Sequence, residues 1–170
     1  MVNTIADLLI RYKAIEFGEF SLASGKKSSY YIDVKTAVTN PDLLFAIASI
    51  IAQTHTFDVV AGVAVGGIPL AVATSMVTKK PYAIIRAAEK SHGKKEVIIG
   101  NVRDANVLLV EDVTTSGGSA LYGINALRSA GAQANRVVTV VDREQGAEEM
   151  LILQGVQLLP LVKVSEILQS

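Results

Sequence analysis

Short apolar runs that alternate with helix-like segments are the feature that most restricts the fold of this chain. Apolar runs occupy residues 59–65, 107–110 and 137–141, and each precedes a segment with helical spacing. Strands that are apolar on both faces belong to parallel sheets that helices cover on both sides. The pattern therefore predicts an α/β fold with a mostly parallel central sheet, and such sheets bind ligands beyond the carboxyl ends of their strands.

Local signals predict the remaining elements. Asn3 is predicted to cap a first helix, and residues 17–35 are predicted to form short strands around a turn at residues 24–25. Asn40, followed by a proline and an acid, predicts the start of a second helix. Further strands are predicted at residues 82–86, 97–101 and 156–161, and further helices at residues 68–78, 119–130, around 150–153 and from 163 to the end.

Composition excludes several classes of protein. The chain has no cysteine and two histidines, which excludes disulfides, thiolate metal sites, a cysteine nucleophile and a histidine-rich metal site. Sixteen basic residues balance sixteen acidic ones, whereas a nucleic-acid-binding protein is usually basic, so no nucleic-acid partner is expected. Residues 59–77 are uncharged, but their glycines and Pro69 favour strand, turn and helix over a membrane span. We expect a cytoplasmic protein without a signal peptide.

Residues 107–120, with the sequence VLLVEDVTTSGGSA, carry the most informative chemistry. A strand leads to Glu111 and Asp112, then to a turn of hydroxyls and glycines, then to a helix amino terminus, which attracts anions. Gly117 and Gly118 let the backbone close around a phosphate. The combination suits a sugar phosphate, with the acids on ribose hydroxyls and the turn on the 5′-phosphate. A plain turn with a Thr or Ser cap is the structural alternative.

This segment resembles the motif with which type I phosphoribosyltransferases bind phosphoribosyl pyrophosphate (PRPP). Residues 17–33 resemble the amino-terminal hood of orotate phosphoribosyltransferases, residues 86–93 (RAAEKSHG) resemble their mobile loop, and Asp142 with Arg143 matches their Asp-Arg pair. The chain is thus similar to the short, single-domain members of that family. The resemblance implies one domain with the type I phosphoribosyltransferase fold, a small hood at about residues 1–38 plus the C-terminal segment, and a core at about residues 39–160.

The resemblance implies Mg²⁺-dependent transfer of phosphoribose from PRPP to orotate, giving orotidine 5′-monophosphate and pyrophosphate for pyrimidine synthesis. Catalytic roles fall on Lys90, His92, Glu111 and Asp112. The resemblance assigns orotate binding to Arg143, Thr115, Tyr31 and Ile32, with Tyr30 beside them. The guanidinium fork of Arg143 suits a carboxylate. PRPP binding falls on Val65, Gly66, Gly67, Arg86, Lys90, His92, Glu111, Asp112, Val113, Thr114, Thr115, Ser116, Gly117, Gly118 and Ser119. A surface salt bridge is the bland alternative for Arg143.

A cationic segment supports the role of the loop. Residues 79–95 contain six basic residues and one acidic residue, Glu89, which gives a net charge of +5. Such a segment can stabilise the departing pyrophosphate, or it can simply be a solvated charge run. Mg²⁺ is expected to ride mainly on PRPP and water, without a protein metal cage. The resemblance also implies a homodimer whose loop at residues 86–95 acts in the neighbouring subunit's site.

Three positions depart from the better-known bacterial pattern. Ala23, Gly66 and Ala87 stand where basic residues often contact phosphate or pyrophosphate. The candidates to replace those contacts are Lys26, Lys27, Lys94 and Lys95. Two alternatives stay open at this point: a phosphoribosyltransferase for another base, and a regulator of transcription that has this fold and senses PRPP or a nucleotide.

Overall fold

The structure, a computed structural model, describes residues 4–21, 25, 27–87 and 97–168. Within these ranges the strands are β1 (Ile15–Ser21), β2 (Lys27–Ile32), β3 (Val59–Val63), β4 (Tyr82–Ile85), β5 (Ile98–Ile99), β6 (Asn106–Thr114), β7 (Gln133–Asp142) and β8 (Gln157–Lys163). The helices are α1 (Ile5–Arg11), α2 (Val34–Ala37), α3 (Pro41–Thr54), α4 (Gly67–Thr78), α5 (Gly118–Ser129), α6 (Ala147–Ile152) and α7 (Val164–Leu168).

Six of these strands form the central sheet, in the order β5-β4-β3-β6-β7-β8. All neighbouring pairs are parallel except β4 and β5, which confirms the predicted α/β class. The chain first adds strands on one side of β3 and then returns to the other side with β6. This reversal makes a switch point between β3 and β6, and ligands bind beyond the carboxyl ends of the strands at such a point.

Different helices cover the two faces of the sheet. Val60 and Leu108 lie in an apolar cluster with buried residues of α3 and α4. Their strand neighbours Ala61 and Leu109 lie in a second cluster with α5 and α6. Successive side chains of a strand point to opposite faces, so a sheet covered on both sides needs apolar residues throughout. Residues 59–78 form β3, a turn and α4 as predicted, and none of the described helices is long and apolar enough to cross a membrane.

The amino-terminal hairpin is a separate two-stranded antiparallel sheet. Ile15 at its base and Leu9 of α1 join the first apolar cluster, together with Val162 of β8 and Ile167 of α7. The hood and the C-terminal segment therefore share one core with the central sheet.

Two local predictions need correction. Thr4, not Asn3, caps α1: its side chain accepts a hydrogen bond from the Asp7 N–H, and Asp7 bonds back to the Thr4 N–H, a reciprocal capping box. The central strand was expected to end before its two acids, but β6 continues to Thr114 because β7 pairs with it as far as Asp142. Asn40 caps α3 as predicted.

Candidate active site

The turn between β6 and α5 forms a concavity of about 120 Å³ at the switch point of the sheet. It is lined by Glu111 and residues 113–120. No side chain caps α5, whereas Thr4 and Asn40 cap α1 and α3. The first-turn N–H groups of a helix have no partner within the helix, and an uncapped amino terminus leaves them available to an anion. The Thr or Ser cap that the plain-turn alternative required is therefore absent from α5.

The four hydroxyls of this turn divide into two pairs. Thr114 is buried and donates a hydrogen bond to Asp142 at 3.1 Å. Ser119 donates to the Glu111 carboxylate at 3.0 Å. Thr115 and Ser116 are exposed, and among the described residues their hydroxyls have no hydrogen-bond partner. Thr115 and Ser116 are thus the hydroxyls best placed to contact a ligand, while Thr114 contributes its hydroxyl to the framework beneath the turn.

Glu111 is the buried acid of the site, with 5 % of its surface exposed. Burial raises the pKa of its carboxyl to about 7, against the lowering effect of the Ser119 hydrogen bond, and the neighbouring Asp112 charge raises it further. Near neutral pH this side chain is therefore present in both protonation states. Positive charge that develops nearby favours the ionised state, so Glu111 can respond to a cationic centre.

The raised pKa of Glu111 predicts a pH-dependent stability. Between pH 4.5 and about 7 the folded chain keeps a proton that the unfolded chain has lost, so the free energy of unfolding falls as pH rises and levels off above about 7. The loss should approach 3 kcal/mol, about 1.4 kcal/mol for each pKa unit. Urea titrations of wild type and Glu111→Gln at pH 5, 6, 7 and 8 measure it. The variant should gain stability relative to wild type as pH rises; a constant difference would contradict the raised pKa.

Asp112 lies directly against the turn that follows β3. A Cβ atom placed on Gly66 would be 2.4 Å from the Asp112 carboxylate, so no side chain fits at residue 66 while Asp112 keeps this position. The backbone conformation of Gly66 is ordinary right-handed helical, with φ −62° and ψ −35°. A side chain at residue 66 would therefore have to displace the Asp112 carboxylate, whereas the backbone itself would accept one.

Arg143 lies beside the turn and faces the hood. The main-chain N–H of Arg143 donates to the main-chain oxygen of Thr114 at 2.9 Å, which joins Arg143 directly to the end of β6. Its Cζ atom is 5.7 Å from the centre of the Tyr30 ring, within the range of a cation–π contact. Its Nε is buried without a hydrogen-bond partner among the described residues. A buried, unpaired guanidinium N–H is costly unless a ligand accepts from it, and a carboxylate is its best acceptor.

The other residues predicted on the base side are placed differently. Tyr31 is exposed, and its ring packs 5.6 Å from that of Phe20, so Tyr30 is the aromatic residue in contact with Arg143. Ile32 packs against the first apolar cluster. The Oδ1 atom of Asp142, the acid of the Asp-Arg pair, accepts hydrogen bonds from the Thr114 hydroxyl and from the Glu144 N–H, so Asp142 stabilises the turn.

Comparison with known proteins identifies the family of this chain. A family model described as "Phosphoribosyl transferase domain" matches residues 33–154. The orotate phosphoribosyltransferase of Methanocorpusculum labreanum is 62% identical over 168 residues, 99% of each chain. The chain belongs to the orotate phosphoribosyltransferase family.

Solved structures of orotate phosphoribosyltransferases have the same fold. The enzyme from Aeropyrum pernix superposes with a TM-score of 0.86 at 30% identity, over 98% of this chain and 97% of that one. The enzyme from Mycobacterium tuberculosis in complex with PRPP superposes with a TM-score of 0.78 at 25% identity, over 96% of each chain. The expected family and its type I fold are confirmed.

Part of the predicted orotate phosphoribosyltransferase site lies outside the described residues. This applies to Lys90 and His92, and to Ala23, Lys26, Lys94 and Lys95. Arg86 is described at the end of β4 and is exposed, and Val65 is exposed in the turn after β3. Sequence reasoning missed one residue at this edge of the sheet: Tyr122 of α5, whose hydroxyl donates to the Arg86 main-chain oxygen. The only sequence signal for Tyr122 was its place near the start of the predicted helix that follows the PRPP motif.

Proposed function

We propose that this protein transfers the phosphoribosyl group of PRPP to orotate, producing orotidine 5′-monophosphate and pyrophosphate. The bond from C1′ to the pyrophosphate oxygen breaks, and a bond from C1′ to a ring nitrogen of orotate forms as that nitrogen loses its proton. The observation that carries the choice of base is Arg143, with a buried, unpartnered Nε beside the anion-binding turn. Orotate differs from uracil by a carboxylate, the group that a guanidinium binds best.

The described residues support one placement of PRPP. Its 5′-phosphate would bind the uncapped amino terminus of α5, with Thr115 and Ser116 as hydroxyl donors. The ribose would lie over Glu111 and Asp112, and the pyrophosphate would approach the turn at residues 65–67. The mycobacterial relative, whose structure contains PRPP, supports the choice of ligand. Developing positive charge at C1′ would be stabilised by the two carboxylates, and Arg86, Lys90 and His92 would serve the pyrophosphate.

We also propose that Mg²⁺ accompanies PRPP, where it would neutralise pyrophosphate charge. Mg²⁺ prefers oxygen ligands and usually binds through one or two carboxylates, substrate phosphates and water. The residues fit this mode, because among the described residues the Asp112 carboxylate accepts no hydrogen bond and lies against the pyrophosphate turn. In the same ranges no group of three or more His, Cys, Asp or Glu is arranged to hold a metal. Asp112 is therefore the residue that would share the ion with substrate.

A homodimer and a cytoplasmic location complete the proposal. Met76 of α4 and Tyr82 of β4 are exposed apolar side chains on elements that contact each other, which suits a surface covered by a second subunit. The highly charged substrates do not cross membranes unaided, which suits an enzyme of the cytoplasm.

A direct assay tests the proposed reaction. Wild-type protein with PRPP and Mg²⁺ should consume orotate, followed by the loss of its ultraviolet absorbance, while uracil and hypoxanthine should be poor substrates. Asp112→Asn should reduce turnover by at least about tenfold with an unchanged melting temperature, because the acid contacts ribose. Faster use of another base would identify a different phosphoribosyltransferase. PRPP binding without turnover of any base would indicate a regulator.

A further inference from the structure

We propose that Tyr122 is a positioning residue that holds Arg86 at the PRPP site, an inference that rests on the proposed function. The Tyr122 hydroxyl donates to the main-chain oxygen of Arg86 at 3.1 Å. The two residues are 36 positions apart, and the bond joins α5 to the end of β4. The helix α5 follows the anion-binding turn at residues 113–118, and that turn with the first turn of α5 is called the cradle below. The motif at residues 107–120 ends before residue 122 and does not predict a tyrosine there.

Arg86 is held from a second side. Its N–H donates to the main-chain oxygen of Val97 at 2.9 Å. Both main-chain polar groups of Arg86 therefore have partners, one on α5 and one next to β5. The Val97 bond joins Arg86 to the residue that precedes β5, and the Tyr122 bond fixes that junction against α5. Arg86 is thereby held at the start of the loop at residues 86–95, which the proposed homodimer would bring to the neighbouring subunit's site.

The Arg86 guanidinium is available to a ligand. The side chain is exposed, and among the described residues it makes neither a hydrogen bond nor an ion pair. Arg86 follows a parallel strand at its carboxyl end, the edge of the sheet that also carries Gly66, Asp112 and the turn at residues 113–118. A cation at the start of the loop at residues 86–95 suits the charge of PRPP. Since a long side chain loses conformational entropy on binding, fixing its backbone reduces the cost of placing it.

Tyr122 is suited to this task because its ring and its hydroxyl have separate partners. The ring is half-buried and packs against the second apolar cluster, beneath α5. The hydroxyl reaches beyond the cluster to the Arg86 oxygen. Tyr122→Phe therefore removes the hydrogen bond while it preserves the packing.

The first measurement is the affinity for PRPP by calorimetry, without orotate. Tyr122→Phe should weaken binding about fivefold to tenfold, the cost of ordering about one residue on binding, with at most a small fall in melting temperature. Tyr12→Phe is the matched control, because the Tyr12 ring is likewise half-buried against an apolar cluster and, among the described residues, its hydroxyl has no hydrogen bond; its PRPP affinity should equal that of wild type. An unchanged PRPP affinity in Tyr122→Phe would overturn the inference.

A double-mutant cycle separates positioning of Arg86 from any other effect of Tyr122. Arg86→Ala removes the guanidinium but keeps the main-chain oxygen. In that background Tyr122→Phe should cause no further loss of PRPP affinity, whereas independent effects would multiply. A full second loss would show that Tyr122 acts through the cradle alone, contrary to the inference. The proposed function has its own test: a wild-type protein that binds PRPP but consumes no orotate would contradict the function, whereas the PRPP affinities of the variants test the role of Tyr122.

Discussion

Gly66→Ala is expected to lower kcat/KM for PRPP by at least about 10²-fold while the protein stays folded, the scale on which small misplacements of reacting groups act. The added methyl group would lie 2.4 Å from the Asp112 carboxylate, which must then rotate away from its present position. The backbone already has φ and ψ values that alanine adopts readily, so the free energy of unfolding should change by less than about 1 kcal/mol. Steady-state kinetics together with thermal melting measure both effects.

Gly62→Ala is the matched control, because we expect it to destabilise the fold, whereas Gly66→Ala should lower activity and leave the fold stable. A Cβ there would be 2.2 Å from the main-chain oxygen of Gly67, which cannot move without shifting α4. We expect a loss of about 3 kcal/mol or more in the free energy of unfolding, as for severe overpacking. Asp112→Ala supplies a second check. In that background Gly66→Ala has no carboxylate to displace and should reduce activity no further; an undiminished second loss would place its effect elsewhere.

The sheet and the cradle were predictable because both depend on local sequence. Alternating apolar runs predict buried parallel strands wherever they occur, and the VEDVTTSGGS segment carries its strand, acids, turn and helix start within ten residues. The resemblance of residues 17–33 to the hood, and of Asp142 with Arg143 to the Asp-Arg pair, predicted orotate as the base. Each of these signals can be read without knowing which residues meet in space.

The finer structure of the site depends on contacts between distant residues, which the sequence does not encode in any short pattern. The Thr114 hydroxyl donates to Asp142 because β6 extends through Thr114 and pairs there with β7, which places this side chain on the buried face. The close approach of the Asp112 carboxylate to Gly66 likewise could not be predicted from the sequence, because it depends on how β3 and β6 lie beside each other. The link between Tyr122 and Arg86 likewise requires α5 and β4 to be placed side by side.

Arg143→Ala is expected to weaken the use of orotate by about 10²-fold or more, the scale of about 3 kcal/mol, while PRPP affinity stays nearly unchanged. The guanidinium has a buried Nε without a partner in the described part of the chain, so a bound carboxylate would satisfy it. Loss of a charge-assisted pair also leaves the ligand charge unpaired in a partly closed site. Because Arg143 contacts Tyr30 and not the first turn of α5, the phosphate side should be little affected.

Two further variants make this prediction specific. Arg143→Lys should recover only part of the orotate affinity, since an ammonium group keeps the charge but cannot form the paired contact of a guanidinium. Arg103→Ala is the matched control: Arg103 is exposed and precedes β6, whereas the turn lies at the other end of that strand, so its removal should leave both substrates unaffected. Orotate and PRPP are titrated separately into each protein, and uracil is compared as substrate. Arg143→Ala should lose its preference for orotate over uracil. If PRPP affinity falls instead and orotate affinity holds, Arg143 belongs to the phosphate side, and the base must be bound elsewhere.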